Sequence, residues 1–328
     1  MKKYVITFMC SVFIFSCIWF VSGSSCYASK EEKKVVIAQQ FGLGYAPIMV
    51  MNEKKLIEKY IEGVQIEWVQ LGSGGAIREA MAAGTVDIGS MGVPPFLIAW
   101  AKGIDFKVIT ALCQMPLGLQ TYHKEVKTLA DITPEMKIAL PSPGSIQHIL
   151  LSMAVKNQLG DPKALDSQIV AMPHPDGANA LLNKVEIDAH FTSPPYIFIE
   201  LENEDIHQVV DAEKDSFDGP FTFLVTVSTG KFRKNQPLVF DAVFKALEEA
   251  IDWIDANPRE TAKLLSDDFN MSPEKIYHQL TWPGVVFDKN PKGMLKFLEF
   301  MQESGYVERT TNDAGELIWD TLDPSLAD

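Results

Sequence analysis

The chain holds 328 residues, of which 47% are hydrophobic, 22% charged and 10% aromatic. That composition excludes a disordered tail, a collagen-like rod and a polytopic membrane protein, and the length suffices for two packed lobes. A formal net charge of −14 excludes a nucleic-acid partner, because no basic stripe is left to meet phosphates.

Met1-Lys2-Lys3 precedes an apolar run from Tyr4 to Val21, the pattern of a secretory signal. Ser22-Gly23-Ser24-Ser25 follows, and Cys26-Tyr27-Ala28 sets small side chains three and one positions before a cut after Ala28. Residues 1–28 are therefore read as a signal peptide on an exported, periplasmic chain. Two alternatives stay open. Cys26 could carry a lipid anchor, although Gly-Ser-Ser before it lacks the large aliphatic residue such sites carry; and the apolar run is long enough for an uncleaved anchor. Cleavage would remove two lysines and no acid, leaving the exported chain more negative still. It would also leave Cys113 as the one cysteine, unable to form an internal disulfide and set in the apolar stretch VITALCQM as a small buried hydrophobe.

Strands then alternate with helices. The pattern predicts strands over Lys34–Ala38, Val64–Val69, Val86–Gly89 and Lys107–Leu112, with helices over Ala46–Tyr60, Ala76–Ala83 and Pro95–Ala101 between them. The rhythm restarts with strands over Lys137–Leu140, Gln168–Met172 and Asp188–Phe191 and helices over Gly144–Leu159 and Asp176–Asn183. A strand over Phe221–Ser228 carries the chain onward. Such alternation predicts mostly parallel sheets in two similar α/β halves. From Asn235 the tail is helical: Leu238, Val243, Leu247, Ala250, Ile251 and Ile254 recur at helical spacing until Asn257-Pro258 stops the run. Further helices are expected near 259–268, 273–280 and 291–304.

Open α/β sheets bind ligands at the carboxyl ends of their strands, and the informative loops fall there. Gln39 to Pro47 combines two glycines with the rings of Phe41 and Tyr45, which could cover a ligand or complete the core. Leu71 to Ala80 opens a helix with Gly-Ser-Gly-Gly, whose free amides suit an anion and whose Ser73 adds a hydroxyl. The Lys-Ser/Thr ending of a phosphate loop is missing, and Arg78 reads as a surface residue. Gly89 to Pro95 offers small residues and the Ser90 hydroxyl. In the second half Ser145 is placed to cap a helix and expose its amides, and Met172 to Asp176 and Phe191 to Tyr196 close two further strands. His148 reads as a structural helix-face residue and His174 as a loop histidine beside prolines.

Catalytic patterns are missing. Ser73, Ser90, Ser142 and Ser145 all lack the glycine two positions before a nucleophile elbow, no His-Glu-x-x-His occurs, and the six histidines never pair at metal-ligand spacing. The carboxylates are spaced as solvated helix faces. Binding loops without catalytic groups point to a receptor rather than an enzyme, with no metal and no cofactor.

Taken together, Tyr45-Ala46-Pro47, Gly72–Ala80 running into Ala83–Gly92, Lys137–Gln147, Ala178–Ala189, Thr192–Tyr196 and Asn235 to Pro258 resemble the solute-binding proteins of ABC importers of the nitrate/sulfonate/taurine type, within the NMT1/thiamine-pyrimidine-binding-like superfamily. The resemblance implies an α/β type II periplasmic-binding-protein fold: two α/β lobes joined by two crossing strands, with a helical C-terminal tail. It places lobe I over 29–119 and 225–328 and lobe II over 120–224. It further implies a monomer that closes around a small solute and docks on a membrane permease. Carried over by position, ligand contacts fall on Phe41, Gly42, Leu43, Gly44 and Tyr45; on Gly72, Ser73, Gly74 and Gly75; on Ser90 and Met91; on Ser145, Ile146 and Gln147; and on Asp176, Thr192, Ser193 and Pro194. Helix starts and hydroxyls favour a small anion such as a sulfonate. Three alternatives remain: a thiamine-pyrimidine-type heterocycle stacked on Phe41, Tyr45 and Tyr196; an enzyme on the same fold, whose Cys-rich iron motif this chain lacks; and a ligand-sensing partner of a membrane receptor kinase.

Overall fold

A computed structural model describes residues 33–327; the expected signal peptide, with its cleavage site and Cys26, lies outside the described residues. The first half runs β1 (Lys34–Gln39), α1 (Ala46–Glu53), α2 (Leu56–Tyr60), β2 (Gln65–Gln70), α3 (Gly74–Ala82), β3 (Ile88–Gly92), α4 (Val93–Ala101) and β4 (Phe106–Cys113). The second runs β5 (Gly118–Thr121), β6 (Ile138–Leu140), α5 (Ile146–Leu159), β7 (Ile169–Ala171), α6 (His174–Asn183), β8 (Ala189–Thr192), α7 (Tyr196–Leu201) and β9 (His207–Asp211). After a π-helical turn over 212–217 come β10 (Leu224–Thr229), α8 (Gly230–Asn235), α9 (Pro237–Ala256), α10 (Pro258–Leu265), α11 (Pro273–Leu280) and α12 (Met294–Glu303). Among the described residues no helix is long and apolar enough to cross a membrane.

Ten strands form two five-stranded sheets, ordered β2-β1-β3-β10-β4 and β7-β6-β8-β5-β9. Each contains a parallel triplet, β2-β1-β3 and β7-β6-β8, which the repeated strand–helix rhythm foretold. The expectation of mostly parallel sheets fails beyond those triplets. Strand β10 pairs antiparallel with both β3 and β4, and β5 pairs antiparallel with both β8 and β9. The cause is connectivity. The chain leaves the first sheet after β4 and returns at β10, so each crossing strand enters its new sheet against the direction set by the strand–helix units. The crossing segments run side by side, with Phe223 N donating to Cys113 O at 2.8 Å and Ala212 N to Leu117 O at 3.0 Å.

Local sequence accounts for the other departures. β5 and β9 escape sequence reading because they are short and β9 carries half-exposed or exposed polar residues, which give no apolar alternation. The helix expected over 46–60 breaks at Lys55, whose φ of 51° is left-handed, and the break lets α2 turn its buried Leu56 and Ile57 inward. Both α1 and α2 pack on α9, whose Val243, Leu247, Ala250, Ile251 and Ile254 are buried at the predicted helical spacing, whereas Leu238 of the same series is exposed and Val239 and Phe240 turn inward instead. Lys59 and Tyr60 clamp Glu249 across that contact at 2.7 and 2.6 Å.

Strand β3 is buried along its whole length, and Gly89 is what lets α3 lie against it. A Cβ there would stand 2.5 Å from both Ile77 Cγ2 and Met81 Sδ. Gly89→Ala should therefore overpack this layer and cost about 1–3 kcal/mol. Urea denaturation should show a lower midpoint at unchanged slope; an unchanged midpoint would mean the layer can spread without cost.

Candidate functional site

Both sheets turn the carboxyl ends of their parallel strands, and the helix starts that follow them, toward one interface. Leu43 N donates to Pro194 O at 2.9 Å across it. Close approach recurs along its length: a Cβ on Gly72 would stand 3.1 Å from Pro173, one on Gly75 3.2 Å from Ser142 Oγ, and one on Gly92 2.9 Å from Ile146. Between Gln40, Phe41, Tyr45, Gly74, Gly92 and Pro95 on one side and Ser145, Ile146, Gln147 and His174 on the other, with Phe223 and Leu224 at the crossing, the space left is about 10 Å³. That is room for one water at most, so the cleft stands closed.

Helix starts supply most of the polarity here. Ser73 caps α3, its hydroxyl accepting from Ala76 N at 3.1 Å, and Ser145 caps α5 by accepting from His148 N at 3.3 Å. Helix α4 begins at Val93 beside Gly92, and α6 begins at His174. Four helices of eight or more residues thus aim the positive ends of their dipoles at the cleft, with free amides offered chiefly by α3 and α5, since α4 opens Val93-Pro94-Pro95 and α6 opens His174-Pro175. Among the described residues no lysine or arginine lines the cleft.

A buried side-chain chain runs inward from the cleft. Gln147 Nε2 lies 3.0 Å from His174 Nε2, His174 Nδ1 lies 3.1 Å from His190 Nε2, and His190 Nδ1 lies 2.6 Å from Glu200 Oε1. Thr192 Oγ1 is 3.2 Å from His174 Nδ1, and Tyr196 stacks on the His174 ring at 5.7 Å. His190 and Glu200 are fully buried. Burial holds His190 down at about 3, and burial together with the neighbouring His190 keeps His174 well below the usual imidazole value. Burial likewise pushes the Glu200 carboxyl well up. Tyr196 is raised to about 12 by burial and then by the Asp176 charge.

The expected contact residues divide by location. Phe41, Tyr45, Gly74, Ser145, Ile146 and Gln147 line the cleft, and Thr192 reaches it through His174. Gly42, Pro194 and Gly72 form its closing seam, with Ser193 beside them, its buried hydroxyl unpartnered. Ser73 acts on α3, and Gly75 faces Ser142. Leu43 joins the seam by its backbone alone, its side chain being wholly buried, and a Cβ on Gly44 would meet Leu224, Cys113 and Phe223 at the crossing. The structure places the others elsewhere. The Ser90 hydroxyl is taken by Thr226 Oγ1 at 2.9 Å inside the first sheet, Met91 is buried beside it, and Asp176 is exposed on α6. Gln40, His174, Phe223 and Leu224 line the cleft without having been singled out. For His174 the signal was present, a histidine directly after a strand end and opening a helix. Burial pushes the Cys113 thiol up, as suits a small buried hydrophobe.

A roomier groove of about 780 Å³ lies between α7, the crossing segments and Trp282. Its floor is apolar, with Phe198 against Trp282 at 5.0 Å, and both of its lysines are paired, Lys275 with Glu202 at 2.7 Å and Lys214 with Asp211 at 3.0 Å. It offers no convergence of free donors, so volume and chemistry point to different places and chemistry selects the closed cleft.

Comparison with known proteins follows the same lines. The model of the NMT1-like family matches residues 28–266. A Bacillus subtilis (strain 168) protein named for binding aliphatic sulfonates is 27% identical over 274 residues, covering 81% of this chain and 78% of its own length. Among solved structures, the alkanesulfonate-binding protein SsuA of Xanthomonas axonopodis pv. citri, bound to MOPS, aligns with a TM-score of 0.70 at 17% identity over 85% of this chain and 96% of its own. The periplasmic nitrate-binding protein NrtA of Synechocystis PCC 6803 aligns with a TM-score of 0.70 at 17% identity, over 86% of this chain and 84% of its own. These likenesses show the periplasmic-binding-protein fold of two α/β lobes.

The buried histidines have a consequence for stability. On unfolding, their imidazoles regain a value near 6.5. Below that pH the unfolded chain binds protons that the folded chain refuses, so their contribution falls as pH drops. Glu200 acts oppositely, since its folded carboxyl keeps a proton that the unfolded one releases above about 4.3. Two groups against one leave a net loss on acidification from about pH 6.5 to 4.5. In His174→Gln the dependence of unfolding free energy on pH over this window should become shallower by about one proton, roughly 1.4 kcal/mol per pH unit. Urea titrations at several pH values read this directly, and an unchanged slope would show that His174 is not held neutral.

Proposed function

The chain belongs to the NMT1-like family, and we propose that it is the exported solute-binding component of an ABC importer, capturing a small organic anion of the sulfonate class and delivering it to the membrane permease. The observation that carries the ligand class is the convergence of four helix N-termini on a cleft whose polar side chains are neutral and which, among the described residues, has no lysine or arginine. Oriented amides and dipoles in a water-poor site neutralise a small anion without a buried counter-charge. The names of the relatives support the same class, since SsuA and the Bacillus subtilis protein are sulfonate binders by name and NrtA a nitrate binder.

Closure belongs to this reading. With about 10 Å³ between the walls, a sulfonate enters only if residues 33–119 with 225–327 move as one lobe against 120–224, bending at the crossings. The side-chain tail of the solute would meet Phe41, Phe223 and Leu224, an apolar wall suited to a short alkyl group. A flat heterocycle finds less, because Tyr196 is already stacked on His174 and Tyr45 is buried with its hydroxyl accepting from Gln40 Nε2 at 2.6 Å. The protein acts here as a monomeric periplasmic receptor that binds and releases without turnover. Its net negative charge opposes an anion only at long range, since screening at physiological salt acts over about 8 Å.

A thermal-shift panel of ethanesulfonate, taurine, longer alkanesulfonates, nitrate, bicarbonate and the thiamine pyrimidine tests this. A sulfonate at about 100 times its dissociation constant should stabilise the protein by about 2.7 kcal/mol, and Ser145→Ala, which removes the α5 cap, should weaken its binding. Stabilisation by the pyrimidine alone would overturn the anion reading, and consumption of a bound candidate would overturn the receptor reading.

A further inference from the structure

The Gln147–His174–His190–Glu200 chain has a direction, and that direction decides what the cleft offers a ligand. Glu200 and His190 are fully buried, and among the ion pairs of the described residues Glu200 has His190 alone. An ionised carboxylate so placed would lie out of water without a permanent cation, at a cost of several kcal/mol. A protonated carboxyl is instead a donor, and the atom waiting 2.6 Å away is His190 Nδ1. Once Nδ1 accepts, neutral His190 carries its proton on Nε2, which faces His174 Nδ1 at 3.1 Å. His174 must then carry its own proton on Nε2, the nitrogen turned to Gln147 at the cleft.

We infer that Glu200 is a positioning residue: through His190 it fixes His174 as the Nε2–H tautomer and so turns a hydrogen-bond donor, without net charge, into the ligand cleft. The amide of Gln147 completes the arrangement. Its nitrogen now faces His174 Nε2; a half-turn exchanges the two ends, so that Oε1 accepts from the ring and the NH₂ group is free to meet the solute. The opposite order, with both rings protonated on Nδ1 and Glu200 as acceptor, would close His174 Nε2 against the amide and place a negative charge behind the site.

The neighbours keep this wiring in register. Thr192 Oγ1 lies 3.2 Å from His174 Nδ1, and Tyr196 covers the ring, held neutral by its raised hydroxyl value. Helix α6 presses on His190, because a Cβ on Gly177 would stand 2.7 Å from its Nε2. Asp176, on the first turn of α6, is exposed, and its charge acts on Tyr196. Each member comes from a different element, α5, α6, β8 and α7, so the donor at the cleft is set by groups that never touch the solute.

This inference rests on the anion-receptor reading, and two measurements separate their fates. Long-range nitrogen–proton spectra of the full chain, with residue-assigned ¹⁵N-histidine, should show Nε2–H imidazoles for His174 and His190 at pH 7. Glu200→Gln should preserve both, because its amide donates to the same Nδ1. Nδ1–H at both rings would overturn the inference. Calorimetry with ethanesulfonate should give an affinity for E200Q close to that of the parent and a loss of about tenfold or more for Glu200→Leu, the worth of one hydrogen bond to a charged group. Equal binding by E200L would also overturn it. Should E200L fail to fold, the tautomers of the parent and E200Q decide. Should no sulfonate bind while the tautomers are as stated, the anion reading falls and the relay stands.

Discussion

Helix starts carry partial positive charge, and this fold collects four of them around one closed cleft. Each parallel triplet delivers its strands' carboxyl ends, and the helices that follow, to the same interface. An interior that gathers so many donors and so little positive charge is complementary to a compact anion held by dipoles rather than by an ion pair. That convergence brings together the locally capped starts at Ser73 and Ser145, the seam of Gly72, Gly75 and Gly92, and the buried histidine chain.

The glycines serve closeness rather than flexibility. Gly92 lets Ile146 approach across the interface, and Gly72 does the same for Pro173, so the closed walls meet through backbone. Dry walls also raise the worth of each donor that stays within them, because a low local dielectric strengthens satisfied hydrogen bonds and penalises unsatisfied ones. The buried, unpartnered hydroxyls of Ser142 and Ser193 beside the seam belong to the same economy of polar groups. The two crossing segments are tied to each other by backbone hydrogen bonds at Phe223 and Ala212.

Legibility in the sequence followed the range of the interaction. The parallel triplets, the helical tail and the loops after the strands were readable, because each rests on periodicity or on glycine and serine at a strand end within a dozen residues. Ser145 was readable as a cap, and Gln147 came with it. Ser90 was not: its hydroxyl meets Thr226, 136 positions away, only because β10 returns between β3 and β4. The same return makes the sheets mixed, which no local pattern records. His174 looked like a bland loop residue because its partners His190 and Glu200 lie on other elements.

What the amino-acid sequence determined by itself was most of the inventory: the strands of the parallel triplets and the long helices, though not β5, β9 or the break at Lys55, and the loops that carry donors. Tertiary structure decided which of those donors face one another. Helix starts and caps are local, fixed by hydrogen bonds three residues apart, so they survive any arrangement of the halves. The order of strands, the closing of the cleft to about 10 Å³ and the path of a proton-bearing chain from Gln147 to Glu200 depend on contacts between residues far apart in sequence. Those contacts exist only after the chain has crossed between its sheets twice.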